Sequence, residues 1–259
     1  MNFIDEKIKT YMDGLYKPVS EEMGILREKA EENHIPIILK DTEGFLLSIL
    51  KAGRMMRILE IGTAVGYSAS LFAIAEPHCR VDTIERNPEM FKEAVKNIEK
   101  LGLSDRIRVH FGEATNVMEE LLKGLDSDEI ELEPEEEIIA ELLGDPSMLR
   151  LYDMVFIDAG KSHYREFWDA AMGLVRPGSI IICDNVLMKG KTVSDEYDPD
   201  GKHKTNIRKM REFVEFLSTN DLVDTTFLPI GDGISISVVR EIWDTDTIDE
   251  PEFYPINLN

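Results

Sequence analysis

The chain has 259 residues, 43% hydrophobic and 31% charged, which supplies a full apolar core within the length that α/β folds reach as one domain. Its 51 acidic against 29 basic residues give a formal net charge of −22, which disfavours a polyanionic partner wherever that charge is spread evenly. Cys79 and Cys183 lie far apart and offer neither a disulfide framework nor a zinc site, and no run approaches ~18 uninterrupted apolar residues, so a soluble cytoplasmic protein without membrane contact is expected.

The first fifty residues read as helices. Phe3, Ile4, Ile8, Tyr11, Met12 and Leu15 recur at helical spacing until Pro18 stops the run. Ser20 can cap a second helix, and a third runs from about Asp41 to Ala52. The apolar linker "HIPIIL" between them is either packing or a lid over a ligand. From Arg57 the short buried strands "RILEI", "VDTIE", "IRVHF", "DMVFID" and "SIIICD" alternate with amphipathic stretches near residues 66–76, 88–102, 114–123 and 162–173. That alternation implies right-handed βαβ units and a parallel sheet covered on both faces.

The acidic segment 119–145, with a single lysine among its Asp and Glu residues, interrupts the fourth unit and reads as a solvated helix or a mobile insertion. A helix from about Lys204 to Thr219 leads into "TTFLPIGDGISISVVR", two strands joined around "GDG" that add an antiparallel hairpin at one edge. The expected organisation is one domain, with helices or a lid over 1–52, a core over 53–240 and a tail over 241–259.

In an open parallel sheet the ligand lies at the carboxyl ends of the strands, where strand order reverses. The first strand ends in "EIGTAVGYS", where Gly62 and Gly66 permit close backbone approach. There Ser68 opens a helix whose positive end suits the charged part of a nucleotide-like cofactor. The second strand ends at Glu85, which either accepts both ribose hydroxyls of an adenosine or caps the next helix. Gly112 and Ala114, after the third, leave room for adenine. The G-x-x-x-G spacing differs from the G-x-G-x-x-G of dinucleotide sites and favours S-adenosylmethionine over a nicotinamide. The fourth and fifth strands deliver Asp158 and Asp184-Asn185 to one edge, oxygen donors that suit Mg²⁺ before Zn²⁺.

Taken together, "EIGTAVGYS", Glu85, "FIDAGKSHY" and "CDNVL" resemble the metal-dependent class I O-methyltransferases, which include catechol and caffeoyl-CoA O-methyltransferases, from about His34 to Arg240. The resemblance implies a Rossmann-like, seven-stranded, mostly parallel sheet with helices on both faces, a terminal antiparallel hairpin and an N-terminal helical extension. It implies S-adenosylmethionine with its methionine end at Glu60, Gly62 and Ser68, its ribose at Glu85 and its adenine beside Ala114. Ile38, Glu113 and Asp158 belong to the same cofactor set. Mg²⁺, or another divalent cation, is implied on Asp158, Asp184 and Asn185. Lys161 matches the family's catalytic lysine, which helps to remove or stabilise the proton of the substrate hydroxyl. A homodimer is implied as well.

The stretches "DNVLMKGK" and "DGKHKTNIRKMREF" are similar to the bacterial branch that includes the tRNA wobble 5-hydroxyuridine methyltransferase, which implies 5-methoxyuridine formation on tRNA. Lys189, Lys191, Lys202, His203, Lys204, Arg208, Lys209 and Arg211 would then form a basic patch beside the metal edge, the alternative being lysines that solvate a helix. Gly160 stands where plant-type members carry a third acidic residue, which weakens a caffeoyl-CoA acceptor. The other readings are a catechol or phenol acceptor and a catalytically silent scaffold that works through the acidic segment.

Overall fold

Runs of Val, Ile, Leu and Phe bounded by turn residues form the strands, and in the computed structural model, which describes residues 6–125 and 150–241, all seven join one sheet. They are β1 (Arg57–Ile61), β2 (Arg80–Glu85), β3 (Ile107–Phe111), β4 (Tyr152–Ile157), β5 (Val175–Cys183), β6 (Val223–Leu228) and β7 (Ile234–Val239). Their order is β3-β2-β1-β4-β5-β7-β6, with β1 to β5 parallel and β7 antiparallel to both β5 and β6. The expected Rossmann-like sheet with its terminal antiparallel hairpin is therefore present. The chain leaves β1 toward β3, then returns to the other side of β1 at β4. The reversal of strand order, where such sheets bind ligands, falls between β1 and β4.

Because strand side chains alternate, Ile58, Met154 and Phe156 face one core while Leu59, Ile61, Val155 and Ile157 face the other. The first core is covered by α2 (Glu21–Glu32), α3 (Lys40–Gly53), α4 (Tyr67–Ala75) and α5 (Pro88–Lys100), through residues such as Leu26, Leu46, Phe72 and Ile98. The second is covered by α6 (Ala114–Leu125), α7 (Tyr164–Ala171) and α8 (Lys204–Ser218), through Met118, Trp168 and Phe213. The short α1 (Glu6–Asp13) precedes them.

Local signals set several boundaries. Ser20 caps α2 by accepting a hydrogen bond from the Met23 N–H at 3.3 Å. Asn87 caps α5 with Pro88 at its first position. Helix α4 opens at Tyr67 rather than Ser68, because Gly66, at φ 81°, turns the chain in left-handed geometry and occupies the cap position. Strand β4 stops at Ile157, leaving Asp158 in the turn. The acidic segment from 126 to 145, the tail from 242, and Phe3 and Ile4 lie outside the described residues; residues 119–125 are the end of α6. Among the described residues no helix is long and apolar enough to cross a membrane.

Candidate active site

The carboxyl ends of β1 to β5 enclose a cavity of about 600 Å³. One wall is the segment 36–39 between α2 and α3, with Ile38 only 3% exposed, so "HIPIIL" packs and lines the cavity at once. The floor is the turn after β1. Gly62, at φ 106°, stands so close to β4 that a Cβ there would run into the Asp158 carbonyl. The ladder continues one step past the strands: Asp158 N–H donates to the Ile61 carbonyl and Asp184 N–H to the Ile157 carbonyl, each at 3.0 Å. These bonds draw the ends of β1, β4 and β5 together.

On the β1–β3 side Gly62, Ser68, Glu85, Glu113 and Ala114 all line the cavity. Asn87 takes the helix-capping role, while Glu85 accepts from Ala64 N–H at 2.9 Å and Asn87 N–H at 2.7 Å, which fixes its carboxylate at the rim. Glu60 is not brought to the cavity. It is fully buried beneath it, and Thr83 donates to its Oε2 at 2.5 Å while Oε1 has no hydrogen-bond partner. Burial pushes its carboxyl up to about 8, against the opposing pull of the Thr83 hydroxyl.

On the β4–β5 side Asp158, Lys161, Asp184 and Asn185 line the same cavity. The Lys161 ammonium donates to Asp158 Oδ1 at 2.9 Å, Asn185 Oδ1 at 2.6 Å and the Tyr164 hydroxyl at 2.8 Å. Tyr164 in turn donates to the Asp184 carbonyl at 2.8 Å. Asp184 is 1% exposed, accepts from Asn185 N–H at 2.6 Å, and is pushed well above the usual carboxylate range by burial and by the nearby Asp158 charge. A buried carboxylate beside a second one favours a cation. Among the described residues no group of three or more His, Cys, Asp or Glu could hold a metal; the donors here are two carboxylates and an amide, hard oxygen ligands that fit a divalent cation such as Mg²⁺.

Several residues in or beside the cavity carried no role in the sequence. Tyr164 sits three positions after Lys161, a spacing that could have suggested it. Tyr67, Phe167 and Asp232 arrive from α4, α7 and the β6–β7 turn with no local motif to mark them. The basic stretch is also changed by folding: Lys191, Lys202, Arg208 and Arg211 pair with Asp198, Asp200, Glu212 and Asp195 at 3.6, 2.9, 2.7 and 2.8 Å, and Lys209 lies 3.9 Å from Glu166.

The chain as a whole is similar to known proteins. The family model described as O-methyltransferase matches residues 19–134 and 128–241. A catechol O-methyltransferase of Niastella koreensis is 28% identical over 92% of this chain and 99% of its own. A caffeoyl-CoA O-methyltransferase of Medicago sativa is 28% identical over 83% of this chain and 81% of its own. The solved structure of the O-methyltransferase TomG from Streptomyces achromogenes, in complex with S-adenosylmethionine, has a TM-score of 0.69 at 25% identity, covering 91% of this chain and 96% of its own. The match to the family model extends across both core-covering layers and both halves of the cavity, and this chain belongs to the O-methyltransferase family.

Proposed function

We propose that this S-adenosylmethionine-dependent O-methyltransferase methylates a hydroxyl of a small catechol-like aromatic, with a divalent cation at Asp158, Asp184 and Asn185. The observation that carries this reading is the meeting of Lys161, Asp158, Asn185 and the buried Asp184 at one end of a cavity whose other end is built from the β1–α4 turn and Glu85. The relatives named for catechol and caffeoyl-CoA support an aromatic acceptor.

Gly62, Ser68, Glu85, Glu113 and Ala114 would hold the methyl donor along the first three strand ends, with Ile38 closing over it and Asp158 at its inner end. Glu85, fixed by two backbone N–H groups, presents a carboxylate edge to ribose hydroxyls. Glu60 supports the cavity floor from beneath without lining it. A cation supplies acidity and orientation to the acceptor hydroxyl. Lys161 holds positive charge at Nζ where the acceptor oxygen sheds its proton, and Tyr164 anchors that ammonium. The cavity wall at 36–39 and Phe167 exclude water from the transfer.

Methylation of 5-hydroxyuridine in tRNA is the second reading, supported by the likeness of residues 184–191 and 200–213 to that branch. The pairing of its basic stretch with carboxylates favours the small acceptor, since paired cations release fewer counterions to a polyanion. A soluble cytoplasmic homodimer belongs to the same proposal, carried by the exposed Ile8, Tyr11, Met12 and Leu15 at the N-terminal end. Incubation with methyl-labelled S-adenosylmethionine and either a catechol panel or tRNA lacking its wobble modification separates the acceptors. Label in catechols supports the proposal, and label in tRNA alone overturns it.

A further inference from the structure

The segment 36–39 is a short stretch of backbone, yet it forms a wall of the cavity. Its position depends on a charged group outside the cavity. Arg27 on α2 is 4% exposed, and its Nη2 donates both to the Ile38 carbonyl at 3.0 Å and to Glu43 Oε2 on α3 at 2.6 Å. The same Glu43 oxygen accepts from the Tyr67 hydroxyl at 2.7 Å, and Tyr67 lines the cavity from α4. Arg27 Nε donates to the hydroxyls of Tyr67 at 3.1 Å and Tyr16 at 3.2 Å, and Tyr16 donates to Glu43 Oε1 at 3.0 Å. One buried ion pair thus joins α2, α3, α4 and the residues before α2 to two lining groups, Ile38 and Tyr67.

We propose that Arg27 and Glu43 form a clasp that sets the 36–39 wall and Tyr67 against the methyl donor, so that they govern cofactor affinity without touching the cofactor. A buried, charge-assisted pair is suited to this role. It is strong and directional, and its loss leaves the Ile38 carbonyl without its donor. A wall that holds the binding geometry for only a fraction of the time raises the apparent Kd by the inverse of that fraction. The chemistry is untouched, because Lys161, Asp158 and Asn185 sit in the turns that follow β4 and β5.

The inference rests on the cavity binding S-adenosylmethionine, and wild-type binding of S-adenosylhomocysteine by calorimetry tests that first; its absence would reject the cofactor reading and leave the clasp to be judged by exchange at residues 37–39. The variants are Arg27→Met, Arg27→Lys and the double variant Arg27→Met with Glu43→Leu, which removes both charges and so avoids a lone buried one if the single variant does not fold. Expected results are a Kd for S-adenosylhomocysteine raised about tenfold, a KM for the methyl donor raised in parallel, kcat at saturating donor within about twofold, and faster amide exchange at 37–39, with Arg27→Lys intermediate. A Kd within twofold of wild type in the folded variants, or a fall confined to kcat, overturns the clasp.

Discussion

Lys161 bonds three oxygens at the edge of the cavity, two of them from the proposed cation donors, so it is the side chain on which the proposed chemistry most depends. Lys161→Met is expected to lower kcat by about 10²–10⁴-fold, the usual contribution of a positioned acid–base group, with S-adenosylhomocysteine affinity within twofold by calorimetry. An unchanged kcat would remove Lys161 from the mechanism. Glu60 sets a different test. Its carboxyl is raised from the ordinary 4.5 to about 8, so between those values the folded protein holds a proton that the unfolded chain has lost. Stability therefore falls as pH rises through that window. The Tm of the wild type should decline from pH 5 to pH 8 more steeply than that of Glu60→Gln; parallel curves would contradict the burial assigned to it. Asp158, Lys161, Asp184 and Asn185 were legible in the sequence because each follows a strand whose hydrophobic run marks its end. The burial of Glu60 below the cavity was not, since a carboxylate within "RILEI" reads equally as a lining group. Arg27, Glu43 and Tyr67 were less legible still, because their contacts span up to 40 residues of chain and follow no local spacing.

The segment after β5 depends on the β6–β7 turn for its shape. Asn185, Met188 and Lys189 have φ of 58°, 49° and 57°, left-handed geometry that Asn adopts readily but Met and Lys adopt only under constraint. The constraint is visible: Val186 and Leu187 N–H donate to the Gly233 and Asp232 carbonyls at 3.0 Å, and Lys189 N–H donates to the Asp232 carboxylate. Gly233, at φ 84°, packs directly on Leu187, so a Cβ there would displace the segment that carries Asn185. Gly233→Ala should lower kcat at least tenfold while leaving S-adenosylhomocysteine affinity within twofold, because the first three strand ends do not move. Equal loss of both would contradict this division of the cavity. The strands and most helices were legible from periodicity, which differs between the two element types. The left-handed run was not, because "NVLMKGK" contains only one glycine and the strain is imposed by a turn some 45 residues later.

Across the molecule the acidic excess, and the pairing of Lys191, Lys202, Arg208 and Arg211 with carboxylates, favour the proposed small acceptor over a polyanion. Counting charges along the chain recovers their sum but not their partners, which folding supplies from turn and helix neighbours such as Asp195 and Glu212. The exposed apolar side chains of α1 and its following turn, Ile8, Tyr11, Met12 and Leu15, predict a dimer by light scattering that Tyr11→Glu with Leu15→Glu converts to a monomer. A monomeric wild type at micromolar concentration would contradict that assignment. The proposed chemistry is cation-assisted methyl transfer at Asp158, Lys161, Asp184 and Asn185. Its sharpest test is the rate of label transfer from S-adenosylmethionine to catechol by chelator-treated protein as Mg²⁺ is added back. The rate should rise from near zero to saturation in the wild type and stay near zero in Asp184→Ala. Full transfer in the presence of chelator, or none to catechol at any Mg²⁺ concentration, would contradict it.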